Sequence, residues 1–166
     1  MNTQRKNASI RLTRAAIIAA LYVVLTYLSS IVGLSSGVIQ VRLSEMLCIM
    51  PLFFPEAIAG LYIGCTLANI LTGSLALDVI FGSIATLLGA TGAYLLKKFK
   101  GKLVWVTTLP TVIANALIVP PILIYTYGAE ESFLFIMLTV GAGELISATI
   151  FGTALFFSLK RKNILH

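Results

Sequence analysis

Polar and ionisable side chains stand at the start of a long apolar run in the stretch GVIQVRLSEML. Gln40, Arg42 and Glu45 place an amide, a guanidinium and a carboxylate directly before continuous hydrophobic sequence. Four further polar residues interrupt the later apolar runs: Asn69, Asp78, Asn115 and Glu144. Carboxylates accept hydrogen bonds, and amides both donate and accept them. This set could therefore bind the donor and acceptor edge of a planar heterocycle, or a cationic amine.

Aromatic residues lie near the ends of the apolar runs that we predict below to be external. They are Phe81, Tyr125, Tyr127 and Phe133. Their rings could stack on the faces of a planar heterocycle. For any single ring, a place in the interfacial aromatic belt of a membrane protein is the alternative.

The sequence offers no complete set of catalytic residues. His166 is the sole histidine and the last residue, so no Ser–His–Asp set can form. Gly101-Lys102 is followed by Leu103, which does not fit a phosphate-binding loop. Cys48 and Cys65 both fall inside apolar runs, and no metal-ligand spacing is present. We therefore expect neither an enzyme nor a bound cofactor or metal.

The composition predicts an integral membrane protein. Hydrophobic residues make up 58% of the chain and charged residues only 11%, and the mean hydropathy is +1.00. The net charge of +6 comes from short basic clusters separated by apolar blocks, a pattern that fits the positive-inside rule better than nucleic-acid binding. The clusters are Arg5, Lys6, Arg11 and Arg14 near the N-terminus, Lys97, Lys98, Lys100 and Lys102 in one loop, and Lys160, Arg161 and Lys162 in the tail.

The number of spans follows from the apolar blocks and the position of the basic clusters. Five blocks are visible, but an odd number of crossings would separate termini that are both basic. The block 43–72 contains Pro51 and Pro55, and proline ends one helix and favours the first turn of the next, where Glu56 follows. We therefore predict an all-α integral membrane protein with six transmembrane helices and both termini cytoplasmic. It forms a single membrane domain over residues 1–166, with spans at about 12–30, 42–53, 55–72, 76–97, 103–126 and 132–159.

The second predicted span is short. At about 1.5 Å per residue it covers under about 20 Å, against about 30 Å for the hydrocarbon layer. Neighbouring helices must shield it, or the bilayer must thin around it.

On this map most of the non-basic polar residues gather in the external half of the bundle. Polar and ionisable residues inside spans mark functional sites by default, and structural hydrogen bonding alone has no reason to favour one half. Each residue also has a structural alternative. Arg42 and Glu45 could neutralise each other, Asp78 could complement the helix dipole, and the two asparagines could join helices. Glu144 could be protonated and bonded to a backbone carbonyl.

Small residues in the first span predict a contact with another helix. Ala15, Ala16, Ala19 and Ala20 give two four-residue spacings of small side chains, which allow close helix approach in lipid. The helix in question could belong to a partner protein or to this bundle.

The chain resembles the QueT family of substrate-binding S components of energy-coupling factor (ECF) transporters. The resemblance rests on the stretches IQVRLSEML, FFPEAIAGLYIGCTLANILTG, LDVIFGSIATLLGA and GAGELI, together with the A-x-x-x-A pattern, and covers nearly the whole chain. It implies import of a queuosine precursor, a 7-deazaguanine such as 7-aminomethyl-7-deazaguanine or queuine. It also implies a bacterial cell membrane, a transmembrane coupling protein that meets Ala15, Ala16, Ala19 and Ala20, and two ATPase subunits.

With this resemblance, the polar cluster becomes a hypothesis for substrate binding. Gln40, Arg42 and Glu45 would form part of the rim and wall of an external pocket, and Glu144 and Asn115 its floor. Glu144 would accept two hydrogen bonds from the N–H and NH2 edge of the base. Asp78 or Glu45 would hold the exocyclic amine, and Arg42 would orient Glu45 or donate to the base's carbonyl oxygen. The alternatives are an S component for another heterocyclic vitamin, a secondary transporter or channel that works alone, and a structural scaffold.

Overall fold

The computed structural model describes residues 3–34 and 40–161, and these residues are almost entirely helical. The α-helices are α1 (Thr3–Ile31), α2 (Ala57–Leu71), α3 (Ala76–Leu95), α4 (Leu109–Tyr127), α5 (Phe133–Glu144) and α6 (Gly152–Arg161). A 3-10 helix covers Leu43–Leu52, shorter 3-10 turns cover Lys97–Phe99 and Val104–Thr108, and a π-helical segment, Leu145–Phe151, joins α5 to α6.

Four stretches of the described chain are long and apolar enough to cross a membrane. They are Arg5–Ile31, Ala76–Leu95, Val104–Tyr127 and Phe133–Arg161, while Leu43–Leu52 and Ala57–Leu71 are shorter apolar helices. The helices fall within a few residues of the predicted spans, except that α1 begins nine residues before the predicted start at 12. Lys162 of the predicted basic tail and residues 35–39 of the predicted external connection lie outside the described residues.

Long-range contacts place the basic loops at one end of the bundle. Arg14 pairs with Glu56 at 3.3 Å, and its guanidinium lies 4.3 Å from the centre of the Phe54 ring. Lys100 donates to the carbonyl oxygen of Leu52 at 3.4 Å. These contacts bring α1, the turn after the 3-10 helix and the loop after α3 together, and we call this the basic end.

The opposite end, which we call the cavity end, joins the end of α4 to the start of α3. There the hydroxyl of Tyr127 accepts a hydrogen bond from the backbone N–H of Leu75 at 3.1 Å. The helices therefore run alternately from one end to the other.

Small residues allow α1 and α2 to pack with their backbones in close contact. A Cβ added to Gly60 would lie 2.5 Å from the carbonyl oxygen of Ala15, and one added to Gly64 would lie 2.9 Å from the Cα of Ala19. Side chains at these glycines would push the helices apart, and Ala15 and Ala19 present only methyl groups at this contact. This is the close small-residue contact typical of helices in membranes.

The segment predicted as a short α-helical second span is a 3-10 helix instead. A 3-10 helix rises about 2.0 Å per residue, so ten residues cover about 20 Å rather than about 15 Å. Side chains of α1 hold the first residues of this helix, at the cavity end. Ser29 accepts from the N–H of Leu43 at 2.9 Å, and Thr26 donates to Ser44 at 2.8 Å. Runs of this length are uncommon, and here the bonds to α1 stabilise one.

The predicted helix start at Pro55 was early by two residues. Residues 53–56 form a turn in which the carbonyl oxygen of Phe54 accepts from the N–H of Ala57, and α2 begins at Ala57. Glu56 stands at the helix start, as the sequence predicted, and its carboxylate pairs with Arg14.

The last span is one continuous helical rod with a π-helical middle. It lies along the 3-10 helix and the residues just before it, and a glycine of the last span stands at two points of this contact. A Cβ on Gly152 would lie 3.3 Å from the carbonyl oxygen of Met46, and one on Gly143 would collide with the carbonyl oxygen of Gln40. The extended residues before the 3-10 helix therefore rest directly on the backbone of α5.

Candidate functional site

A polar cavity of about 380 Å³ opens at the cavity end of the bundle. Its volume lies within the range of about 300–1,000 Å³ typical of small-molecule sites. Four of the seven residues predicted from the sequence line it: Gln40, Arg42, Asn69 and Asp78. The other lining residues are Thr26, Ser30, Thr72, Ser74, Leu123 and Tyr127.

A narrow crevice of about 10 Å³ adjoins this cavity and contains two more of the predicted residues. Asn115 and Glu144 line it together with Gln40 and Arg42, and Val119 and Val140 complete its walls. Gln40 also lines a third space of about 160 Å³, which includes Glu131. The structure thus brings six of the seven predicted residues around neighbouring spaces that share lining residues, with Gln40 common to all three.

Glu45 lies apart from these spaces, inside the core. Its side chain is 1% exposed. The hydroxyl of Tyr22 donates to Oε1, the thiol of Cys48 donates to Oε2 at 3.1 Å, and the hydroxyl of Thr86 lies 3.4 Å from Oε1. Both oxygens of this carboxylate therefore accept hydrogen bonds inside the core, from Tyr22 of α1 and from Cys48 of its own helix, and these bonds hold the 3-10 helix in the bundle.

Arg42 and Glu45 do not form the ion pair that their spacing suggested as one alternative. Both lie in the described part of the chain, and their charged groups are not within the 4.0 Å of a salt bridge. The reason is local: Arg42 precedes the 3-10 helix with an extended backbone (φ −102°, ψ 103°), so the two residues do not share a helix face. The guanidinium instead lines both the cavity and the crevice.

Asp78 is 6% exposed and stands in the first turn of α3, against the cavity. The hydroxyl of Tyr127 donates to its Oδ2 at 3.2 Å. Asn69 donates to the backbone carbonyl of Asp78 at 3.3 Å, which fixes α2 against the start of α3. Oδ1 receives no hydrogen bond from the residues that the structure describes.

Glu144 is the last residue of α5, and its side chain is 6% exposed. Its Oε2 is buried without a hydrogen-bond partner among the described residues. The neighbouring Gly143 lets the backbone at Gln40 reach α5, which brings Gln40 and Arg42 to the same crevice. An unsatisfied buried carboxylate oxygen costs free energy, and a ligand that donates to it would offset this cost.

The small residues of α1 divide into two faces. Ala19 is 7% exposed and Ala15 is half-buried, because both contact the glycines of α2. Ala16 and Ala20 are exposed. Ala15 and Ala19 therefore pack within the bundle, whereas Ala16 and Ala20 are exposed on the outside of α1.

Sequence reasoning did not place several residues of the cavity in the site. Thr26, Ser30, Thr72 and Ser74 line it, but hydroxyl side chains are common in membrane helices and give little signal in a sequence. Tyr127 was grouped with three other aromatic residues as a possible stacking partner. Of those three, Tyr125 and Phe81 line an apolar groove on the outer surface, and Phe133 is exposed.

No group of three or more His, Cys, Asp or Glu residues in the described chain is arranged to hold a metal ion. Cys48 and Cys65 are both free and buried.

Comparison with known proteins identifies relatives along nearly the whole chain. Residues 12–161 match the model of a family described as QueT transporter. The queuosine precursor transporter QueT of Lactococcus lactis subsp. cremoris (strain MG1363) is 33% identical over 153 residues, which cover 88% of this chain and 90% of that protein. No solved structure matches the chain.

Proposed function

Because the chain belongs to the QueT transporter family, we propose that it binds a queuosine precursor and delivers it across the membrane as the S component of an ECF transporter. The matched family and the relative are transporters rather than enzymes. The chain is a multi-pass membrane protein, and its described residues include four long apolar helices. The substrate would be a 7-deazaguanine, such as 7-aminomethyl-7-deazaguanine or queuine.

The observation that carries this proposal is the buried and unpartnered Oε2 of Glu144 beside a polar cavity of suitable size. A guanine-like base presents adjacent N–H and NH2 donors on one edge. A carboxylate that accepts both would satisfy Oε2 and both donors, because ionised acceptors form the stronger hydrogen bonds. Asn115 beside it supplies an amide for the same edge.

The remaining residues would surround the base in the larger cavity. Arg42 lies between the two spaces and would donate to the carbonyl oxygen of the base. Gln40, Asn69 and Asp78 supply the other polar contacts. The crevice is too narrow for a ring, so the base would occupy the cavity and insert only its donor edge between Gln40 and Arg42. Glu45 would support the site through the 3-10 helix without a contact to the ligand.

Six crossings of the bilayer fit this arrangement. The alternation of the helices brings Arg14 and the loop that contains Lys100 to one end. The positive-inside rule would place that end in the cytoplasm, and both termini with it. The cavity would then open to the outside, where the substrate is met.

Coupling to ATP hydrolysis would come from other proteins, as the family resemblance implies: a transmembrane coupling protein and two ATPase subunits. The exposed pair Ala16 and Ala20 is the part of the small-residue pattern that remains available for a partner helix. Ala15 and Ala19 would contribute indirectly, by holding α1 on α2.

Binding by the isolated chain tests the proposal. Calorimetry of the purified protein in detergent would use 7-aminomethyl-7-deazaguanine and queuine, with guanine and riboflavin as comparison ligands. We expect sub-micromolar binding of a 7-deazaguanine and much weaker binding of riboflavin. If riboflavin or another vitamin binds and no deazaguanine does, the chain is an S component for a different heterocycle.

Uptake of the bound ligand by cells tests the coupling. Cells that contain the chain, with and without an ECF coupling protein and its ATPases, should take up the ligand only when the complete set is present. Uptake by the chain alone would identify a secondary transporter and overturn the assignment as an S component.

A further inference from the structure

We propose that Asp78, held in place by Tyr127, binds a protonated amine on the ligand and so determines selectivity for amine-bearing 7-deazaguanines. This inference rests on the proposed function and adds to it a residue pair and a selectivity.

The two oxygens of Asp78 differ in their surroundings. Oδ2 accepts the hydrogen bond from Tyr127 at 3.2 Å, whereas no described residue donates to Oδ1. Gly82, one turn further along α3, keeps the space beside Oδ1 open. A Cβ on Gly82 would lie 3.1 Å from Oδ1 and 3.2 Å from Nδ2 of Asn69. One oxygen is therefore fixed by the protein and the other is left for a donor in the cavity.

Tyr127 is suited to fix this orientation. It is the last residue of α4, and Gly128 follows with a left-handed backbone (φ 68°) that ends the helix. The single hydroxyl accepts from the N–H of Leu75 and donates to Asp78, so it joins the end of α4 to the start of α3. Rotation of the carboxylate would break its bond to the hydroxyl. Tyr127 is thus a positioning residue that acts through Asp78.

The charges around the three neighbouring spaces favour a cation. The described residues that line them include the carboxylates of Asp78, Glu131 and Glu144 and a single guanidinium, that of Arg42. Glu131 is exposed to solvent, so the buried groups are the carboxyl groups of Asp78 and Glu144 against the guanidinium of Arg42. An ammonium group would compensate a carboxylate that Arg42 leaves unpaired, which a neutral ligand would not. Glu45, the other residue considered for the amine, lies in the core and does not line these spaces, and both of its oxygens already accept hydrogen bonds.

A comparison of two ligands that differ in one substituent tests the inference. The probes are 7-aminomethyl-7-deazaguanine, which carries an ammonium group, and 7-cyano-7-deazaguanine, which does not. We expect the wild-type protein to bind the aminomethyl compound more tightly. In Asp78→Asn its affinity should fall about 10- to 100-fold, the equivalent of one charge-assisted hydrogen bond, while that of the cyano compound changes by less than about threefold.

Tyr127→Phe removes only the hydroxyl and keeps the ring. It should reduce the preference for the aminomethyl compound by a smaller factor than Asp78→Asn, because the carboxylate remains but is no longer held. Glu130→Gln is the matched control, since it neutralises an exposed carboxylate at the same end of the bundle. That variant should preserve the ratio of the two affinities.

The outcomes separate this inference from the proposed function. If the wild-type protein binds both compounds and Asp78→Asn weakens them equally or not at all, the carboxylate does not hold the amine and the inference is wrong. If Asp78→Asn lowers only the thermal stability, Asp78 serves the helix dipole instead. A folded wild-type protein that binds neither compound contradicts the proposed function itself.

Discussion

Replacement of Glu144 by glutamine should raise the stability of the ligand-free protein and lower its affinity for ligand. The two side chains have nearly the same shape, so packing in the crevice is preserved. In the ligand-free protein, Oε2 of Glu144 is buried with no partner among the described residues. Glutamine cannot ionise, so it removes the free-energy cost of holding a charge in this buried position. If Glu144 serves ligand binding, Glu144→Gln should therefore raise the melting temperature of the ligand-free protein. If Glu144 serves folding, the substitution should lower it.

The size of both effects can be worked out from this environment. An unsatisfied buried polar atom costs about 1–3 kcal/mol and a charged one more. The amide of glutamine leaves one polar atom unsatisfied as well, so only the additional cost of a charge is removed, and we expect a gain of about 1 kcal/mol. For a chain of this size, 1 kcal/mol moves the melting temperature by about 2–4 °C. Loss of one partner of a buried charge-assisted contact costs about 2–5 kcal/mol in binding. Glutamine retains one acceptor, so we expect about 2 kcal/mol, or a roughly 30-fold weaker Kd.

Thermal melting without ligand and calorimetry with 7-aminomethyl-7-deazaguanine and 7-cyano-7-deazaguanine measure the two effects. Both ligands should lose affinity alike in Glu144→Gln, because they share the guanine-like edge and differ only in the substituent. Glu56→Gln is a control at the basic end, where the partner Arg14 is 46% exposed and the pair contributes at most about 1 kcal/mol. Unchanged affinity in Glu144→Gln would refute the reasoning, and a lower melting temperature with unchanged affinity would make Glu144 a structural residue.

Two further substitutions test the scaffold and the partner surface. Gly143→Ala should destabilise the protein and weaken ligand binding together, because the new Cβ collides with the carbonyl oxygen of Gln40; a variant with normal melting and normal Kd would contradict this. Ala20→Leu should leave ligand binding and melting unchanged but abolish ATPase-dependent uptake, whereas Ala19→Leu should lower the melting temperature because Ala19 packs on Gly64. Full uptake by Ala20→Leu would remove this residue from the partner surface.

The sequence was a good guide to the helices and to the clustering of polar residues. Long apolar blocks leave the backbone no hydrogen-bond partners except its own, so their helical structure follows from composition. The clustering of polar residues could be predicted because the depth of each residue in its span can be counted from the end of the apolar block. This holds for Asn69, Asp78, Asn115 and Glu144. The division of block 43–72 at Pro51 and Pro55 followed from the effect of proline on helices.

Residues whose role depends on tertiary contacts could not be assigned in this way. The 3-10 form of Leu43–Leu52 depends on Ser29 and Thr26 of another helix. Glu45 has the same chemistry as Glu144, and only the positions of Tyr22 and Cys48 show that both of its oxygens are already hydrogen-bonded within the core.

The extended form of the 3-10 helix determines how the position of Arg42 is controlled. The same ten residues would be about 5 Å shorter as an α-helix, so a change from 3-10 to α-helical hydrogen bonding would shorten this segment by that length. The end of the helix that follows Arg42 is anchored to Ser29 and Thr26 in addition to its own first turn, in which the N–H of Glu45 donates to the carbonyl oxygen of Arg42. The guanidinium between the cavity and the crevice is therefore positioned by α1, the same helix that presents Ala16 and Ala20 on its outer face. A displacement of α1 along its axis would move Arg42 with it, which links the outer surface of the bundle mechanically to the interior of the cavity.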